Sequence, residues 1–441
     1  MKQLFTKAGL AAAVLLCAGT SMAQSAKDTI PEFKPSGKLW GYVFGDMSFK
    51  GSADTLRTNS NQYDRMKANT NLFQFRRIYL GYNYDISRKF SAEFLLAAED
   101  DFQAGSLGQA SNGDVLADNK FAPYIKLANL RWKNLWNGTD LVVGQSPTPT
   151  FAKNGSGMAS EEVWGYRSIE RTITDDRRSG SFDMGVALQG RFDHEGRFGY
   201  TAMVGNGNGD KPENDNYKWF YGDIWGKFFG GKLVVDLYQD YYRMNWGTFV
   251  KGNNGPRYND RNMTKLFAAY STKQLTVGVE AYMNTLMGDL TVNSYDGNTY
   301  YRTTKAMGIS AFVRGQIIEN KLGFFARYDT YDPSLNLKST IDDKALRLKS
   351  YAEGVSQYDP SNKEQFVTFG LDFTPMKNVH IMPNLWINTY KSSLNAGDVN
   401  PNSPASAPVK YGAMNGASNN IFGPTGTDAV YRITFYYIYG K

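Results

Sequence analysis

Few residues in this sequence could do covalent chemistry. It has two histidines, His194 and His380, and its single cysteine is Cys17. His194 stands in a tight turn between Asp193 and Glu195, His380 follows the turn at 375–378, and no G-x-S-x-G elbow supplies a nucleophile. A Ser–His hydrolase therefore lacks its parts, and the chain reads as a non-enzyme. The run "GNGNGDKPEND" sets Asn206, Asn208 and Asp210 at alternate positions, as at the start of a calcium loop. The closing glutamate of such a loop is missing, and a Gly/Asn turn explains the run more simply, so no metal or cofactor is expected.

What remains is electrostatic chemistry. The stretch "SEEVWGYRSIERTITDDRR", inside a polar segment from about 146 to 180, carries Arg167, Arg171, Arg177 and Arg178. Guanidinium groups hold a fixed charge and a planar fork suited to carboxylates and other oxyanions. The same stretch holds Glu161, Glu162, Glu170, Asp175 and Asp176, so local pairing that merely pins the segment is the competing reading. Ser160 could cap a short helix, and Val163, Trp164, Tyr166 and Ile169 are out of place on a wet surface.

The elements that must position these charges are strands. "SFDMGVALQGRFD", "QLTVGVEAYMN" and "LGFFARYDTY" alternate apolar with polar residues at period two. Strands are expected near 38–49, 70–84, 89–100, 121–133, 139–145, 181–193, 196–205, 217–229, 232–245, 263–271, 274–286, 303–317, 321–331, 365–374, 378–391 and 429–440. Short links such as "DISRK", "HEG", "GGK", "TKQ", "ENK" and "PMKN" alternate with long Gly/Asn/Ser/Pro stretches. A sandwich or propeller would turn equally at both ends. About sixteen strands with short turns at one rim and long loops at the other define an all-β, antiparallel transmembrane barrel.

The N-terminus supports export. Lys2 and Lys7 precede an apolar stretch from Ala8 to Ala18 and the small-residue site Ser21-Met22-Ala23, the layout of a cleaved signal over 1–23. A lipid anchor at Cys17 is disfavoured by Leu16 before it. Residues 24–37 read as a periplasmic lead-in and 38–441 as the barrel. No later apolar run is long enough for a spanning helix, so crossing a membrane requires a closed barrel. Removing Lys2 and Lys7 takes the net charge from +7 to +5, too weak over this length to imply a nucleic-acid partner.

Placing the polar face of each strand inside assigns Arg77, Arg191, Arg314, Arg327 and Arg432 to the lumen, with Glu93, Asp183, Asp236, Asp240, Glu280, Asp329 and Asp372 opposing them. In "QFRRIY", strict alternation sends Arg76 outward, to the interface or a neighbouring subunit. In "YIKLANLRWK" neither face is cleanly apolar, so Lys126 and Arg131 have no assigned side. Tyr221, Tyr238, Tyr242, Tyr282, Tyr331 and Trp386 also fall on inner faces, which opens an oligosaccharide pore as an alternative. A structural or adhesive barrel without conductance is the other. The last strand, "AVYRITFYYIYGK", should pair with the first and close the barrel.

"FRRIYLGYNYDISRKFSAEFLLAAED", "WGYRSIERTITDDRRSGSFDMGVALQGRF", "FFARYDTYDP" and "FGLDFTPMKNVHIMPNLW" resemble segments of the porin family that includes the phosphate-selective porins O and P. That resemblance implies a sixteen-stranded channel of a Gram-negative outer membrane, normally a homotrimer, with its third long loop folded into the pore. Embedded in outer-membrane lipid, it would pass small polar or charged solutes, phosphate among them. The mixed lining departs from the strongly cationic path implied for phosphate-selective members. Opposed rows of charge instead suit polar or zwitterionic solutes.

Overall fold

Alternation produces the strands, and the strands join into one sheet. The computed structural model describes residues 32–53, 63, 67–99, 123–149, 160–166, 168–169, 181–209, 211–213, 215–244, 259–294, 299–335, 346–351, 362–392 and 427–440. In chain order the strands are β1 (Ser36–Ser52), β2 (Thr70–Asp85), β3 (Phe90–Glu99), β4 (Tyr124–Trp136), β5 (Thr139–Pro147) and β6 (Phe182–Arg191). They continue as β7 (Phe198–Gly205), β8 (Trp219–Phe228), β9 (Leu233–Met244), β10 (Asn259–Ser271), β11 (Leu275–Ser294) and β12 (Thr299–Ile318). The last are β13 (Leu322–Asp332), β14 (Leu346–Tyr351), β15 (Asn362–Met376), β16 (Val379–Ser392) and β17 (Thr427–Tyr439). A single short helix, α1 (Ser160–Trp164), lies among the described residues between β5 and β6.

Sixteen of these strands form a closed antiparallel barrel. Each pairs with its sequence neighbour, β13 passes directly to β15, and β17 pairs with β1 from Gly41↔Tyr439 to Lys50↔Val430. The closure expected from the sequence is therefore present, and the sixteen-stranded ring has no free edge of its own. Strand β14 was not expected. It pairs with the outer end of β11, past a register shift in the β11–β12 hairpin between Leu286 and Leu290, and is not a member of the closed ring.

One rim of the barrel is built from tight turns whose residues meet the backbone demand directly. Phe229, Gly230 and Gly231 take positive φ in the β8–β9 turn, as do Asn320 between β12 and β13 and Asn378 between β15 and β16. Ser87 Oγ accepts from the amides of Lys89 and Phe90, and Thr272 Oγ1 from those of Gln274 and Leu275. At the β6–β7 turn the Asp193 carboxylate accepts from the amides of Arg197 and Phe198 and from the Arg197 guanidinium. These three partners, the Phe198 amide foremost, hold the Asp193 carboxyl below its ordinary pKa.

The outer face is an apolar belt. Phe73, Leu80, Ile224, Leu237, Phe369 and Ile433 stand exposed around its circumference. An aqueous protein rarely exposes a continuous surface of this kind, whereas a barrel in a bilayer needs one. At the seam, Gly41 and Gly45 of β1 lie beneath Tyr439 and Phe435 of β17. A Cβ on Gly41 would come within 2.2 Å of both the Tyr439 hydroxyl and the Tyr79 carbonyl. Tyr439 can thus lie flat across β1 and donate to the Tyr79 carbonyl of β2 at 2.8 Å, tying three strands together.

Candidate functional site

The inward face is charged. Asp183, Asp236, Asp240, Glu280, Arg327, Asp329, Asp372 and Arg432 are all buried on it, with Arg77 among them. Glu93 accepts from Asn129 on the same face, Arg314 reaches in from β12, and Arg191 sits exposed at the short-turn rim. Further charges, beyond those the polar faces of the clear strands suggest, point inward. Asp46, Lys50, Glu99, Asp223, Arg261, Lys265 and Asp428 are buried there as well. Asp46, Ser48 and Lys50 alternate with exposed Met47 and Phe49, so β1 was readable from its pattern, whereas Asp223 is hidden between Tyr221 and Trp225 on a face rich in aromatics.

One β-bulge corrects the placement of Arg76 on β2, and another gives Lys126 on β4 the side its sequence left open. In β2, Phe44 pairs with Arg77 and Gly45 with Phe75, so Arg76 is an extra residue with no partner position. Alternation resets at that point. Phe73 and Phe75 face outward before it and Ile78 and Leu80 after it, and both arginines face inward. Arg76 Nη1 lies 3.1 Å from Asp46 Oδ2 and Arg77 Nε 3.8 Å from Glu99 Oε1, which overturns the outward placement of Arg76. In β4, Leu95 pairs with Leu127 and Leu96 with Ile125, leaving Lys126 as the extra residue. Its ammonium lies 2.5 Å from Glu99 Oε1 and 2.7 Å from the Tyr79 hydroxyl. Arg131 also faces inward, bonded to Asp140 at 2.9 Å and Gln189 at 2.7 Å.

The described part of segment 160–169, residues 160–166 and 168–169, packs on the inner side of the wall. Trp164, fully buried, touches Phe312 and Phe325 with ring centroids 5.3 and 6.0 Å away, and Tyr166 lies tilted against Phe325 at 4.6 Å. Four inward side chains hold its polar groups. Glu280 accepts from Ser160 Oγ, and Arg314 Nε donates to the Val163 carbonyl at 3.0 Å. Asp372 accepts from the Tyr166 hydroxyl at 3.2 Å, and Arg432 Nη2 donates to the Ile169 carbonyl at 3.0 Å. Charges read from the sequence as free lining are thus partly spent on fixing this segment. Ser160 gives its hydroxyl to Glu280 on the wall. Of the loop residues named above, Arg167, Glu170, Arg171, Arg177 and Arg178 lie outside the described residues, as does the side chain of Glu161. Glu162 is half-buried on α1.

Other loop residues reach inward too. Tyr63, between β1 and β2, is fully buried. Its hydroxyl accepts from Arg76 Nη1 at 2.9 Å and Arg432 Nη1 at 3.0 Å and donates to Asp46 at 3.3 Å. Burial pushes this phenol up to about 12, so it stays protonated and can donate. The Gly/Asn run after β7 folds over Asp183, whose carboxylate accepts from the Gly207 amide at 2.7 Å and the Tyr221 hydroxyl at 3.0 Å. Of the run's alternate residues Asn206, Asn208 and Asp210, the last lies outside the described residues.

Charge is divided across the barrel. On β17 and β1–β4, Lys50, Arg76, Arg77, Lys126 and Arg432 face Asp46, Glu99 and Asp428. On β6–β13, Asp183, Asp223, Asp236, Asp240, Glu280 and Asp329 face Arg261, Lys265 and Arg327. With the less buried Arg191 and Arg314 counted on the second wall, the charges named here give the first wall more cations than acids and leave the second nearly balanced.

A closed sixteen-stranded barrel, apolar outside and charged within, is the fold of an outer-membrane porin. Solved structures bear this out. The anion-selective porin of Comamonas acidovorans aligns over 92% of this chain and 100% of its own, with TM-score 0.52 at 13% identity. The outer-membrane channel DcaP of Acinetobacter baumannii aligns over 92% and 97%, with TM-score 0.55 at 10% identity. Salmonella typhi OmpF, solved with daunomycin, aligns over 91% and 97%, with TM-score 0.51 at 12% identity. No protein-family model matches the sequence, nor does any curated protein.

Proposed function

We propose that the chain is a passive diffusion channel of a Gram-negative outer membrane, admitting small polar or charged solutes and narrowed by its third long loop. The observation that carries this reading is the tethering of segment 160–169 to the inner wall by Glu280, Arg314, Asp372 and Arg432. A segment bonded to four strands of the wall is a built constriction, and a barrel of sixteen strands is wide enough to leave water beside it. The mixed lining, with acids and cations facing one another across the lumen, suits a polar or zwitterionic solute and favours neither ion sign strongly. Membership of the phosphate-selective porin family and assembly as a homotrimer belong to this proposal as well; strict phosphate selectivity does not.

The carbohydrate alternative takes second place because the inward rings are already occupied. Trp219 stacks between Tyr221 and Tyr242 at 4.9 and 4.8 Å, and the Arg261 guanidinium lies 4.4 Å over the Trp219 ring. Sugar stacking needs a free ring face. The test is the reversal potential in a salt gradient, measured before and after Arg167, Arg171, Arg177 and Arg178 are changed to Ala. A shift toward cations is expected if these arginines sit at the constriction; an unchanged potential makes them structural pins.

A further inference from the structure

The bulge in β4 places an ammonium beside two aromatic rings. Lys126 Nζ lies 5.1 Å from the Tyr79 ring centroid and 5.2 Å from that of Phe182, and Tyr124 flanks Phe182 at 6.3 Å. Glu99 fills the polar end of this arrangement, accepting from Lys126 and the Tyr79 hydroxyl, with Arg77 behind it. Glu99, Tyr124, Lys126 and Phe182 belong to the ends of β3, β4 and β6 that join the long loops, and Arg77 and Tyr79 stand level with them in the middle of β2.

Water reaches them. The side chains of Arg77, Glu99 and Lys126 retain 10 to 12% exposure. The ion pairs Lys50–Asp428 and Lys265–Glu280 on the same inner face retain at most 1%. Of these charged groups, those around Glu99 are the ones open to exchange partners with a passing solute.

Resting on the channel reading above, we propose that this cluster is a solute-binding station for organic carboxylates with a planar apolar tail, and that Glu99 is its resident occupant. The Glu99 carboxylate marks the position a solute carboxylate takes, between the Lys126 ammonium, the Tyr79 hydroxyl and the Arg77 guanidinium. A planar tail then lies against Phe182 and Tyr124, which are half-buried and offer the apolar wall that an inorganic oxyanion cannot use. Without the bulge at Lys126, alternation could not set that ammonium and Leu127 on the same face, and the station would not exist.

The experiment is block of single-channel KCl current in planar bilayers by benzoate, with acetate and inorganic phosphate as comparison probes. Wild-type protein should be blocked saturably by benzoate and at least tenfold more weakly by acetate and phosphate. Glu99→Gln should tighten the benzoate block about tenfold, because the competing carboxylate is gone, and Lys126→Met should abolish it. Folding of each variant is checked by heat-modifiable gel mobility. If Lys126→Met fails to fold, Phe182→Ala takes its place, with at least tenfold weaker benzoate block and unaltered block by phosphate. Open channels whose benzoate block ignores Glu99→Gln and both other variants would overturn the station while leaving the channel reading intact. Equal block by phosphate and benzoate would overturn the apolar-tail assignment. A wild-type protein that carries no current would instead sink the channel reading itself.

Discussion

Trp164→Ala should unseat the constriction without opening the barrel. Trp164 is fully buried and lies in ring contact with Tyr166, Phe312 and Phe325, none of which belongs to the seam that closes the sheet. Replacing a buried Trp with Ala typically costs about 3–5 kcal/mol, from lost transfer energy and the cavity left behind. Segment 160–169 keeps four polar tethers, of which those to Glu280, Arg314, Asp372 and Arg432 each involve a charged group, contributing about 1.5–3 kcal/mol apiece. Each 1.4 kcal/mol is a tenfold change in population, so the ratio of seated to unseated segment should fall roughly 100- to 4000-fold. The tethers keep the segment attached on average, and the variant should therefore flicker. Single-channel records should show current steps above the wild-type level and a higher mean conductance, with unchanged heat-modifiable mobility of the folded barrel. A folded variant with wild-type conductance and noise would refute the argument that this packing sets the width of the path.

Three further outcomes follow from the same contacts. Tyr63→Phe removes the hydroxyl that links Arg76, Arg432 and Asp46, leaving buried donors with one acceptor fewer; a loss of about 1–3 kcal/mol should lower the thermal unfolding midpoint. Gly41→Ala puts a methyl against the Tyr79 carbonyl and the Tyr439 ring at the seam. It should cost about 1–3 kcal/mol and reduce the fraction of folded barrel recovered on refolding into detergent. Asp193→Ala should destabilise the β6–β7 turn in a pH-dependent way. Because the folded carboxyl is held below its ordinary value, its stabilisation is present above the usual carboxylate range and fades as pH falls through the depressed value. Urea midpoints of wild type and variant should therefore differ at pH 7 and converge in strong acid; a difference that persists there would contradict the assignment.

Period-two alternation was enough to read the barrel, because lipid on one side and water on the other impose opposite chemistry on successive residues. Val430, Arg432 and Thr434 inside and Tyr431, Ile433 and Tyr437 outside follow that rule along β17. It failed where one residue is added. Arg76 and Lys126 each shift the phase of a strand by one position, and nothing in "QFRRIY" or "YIKLANLRWK" marks an inserted residue, since a bulge is specified by pairing with strands distant in sequence. Strand β14 escaped for a related reason. "LRLKSY" is too short to announce a strand, and its partner on β11 lies more than fifty residues earlier. The charges that tether segment 160–169 were visible as inward residues, but their use was not. Whether Arg314 faces water or the Val163 carbonyl depends on a contact across about 150 residues of chain.

The most direct measurement is the current through purified wild-type protein in a planar bilayer with symmetrical salt. The account predicts discrete insertions of steady, ohmic conductance that scales with bulk salt conductivity, as expected of a water-filled path past a fixed constriction. A folded, membrane-inserted barrel that carries no current would contradict it, leaving a structural or adhesive barrel as the reading.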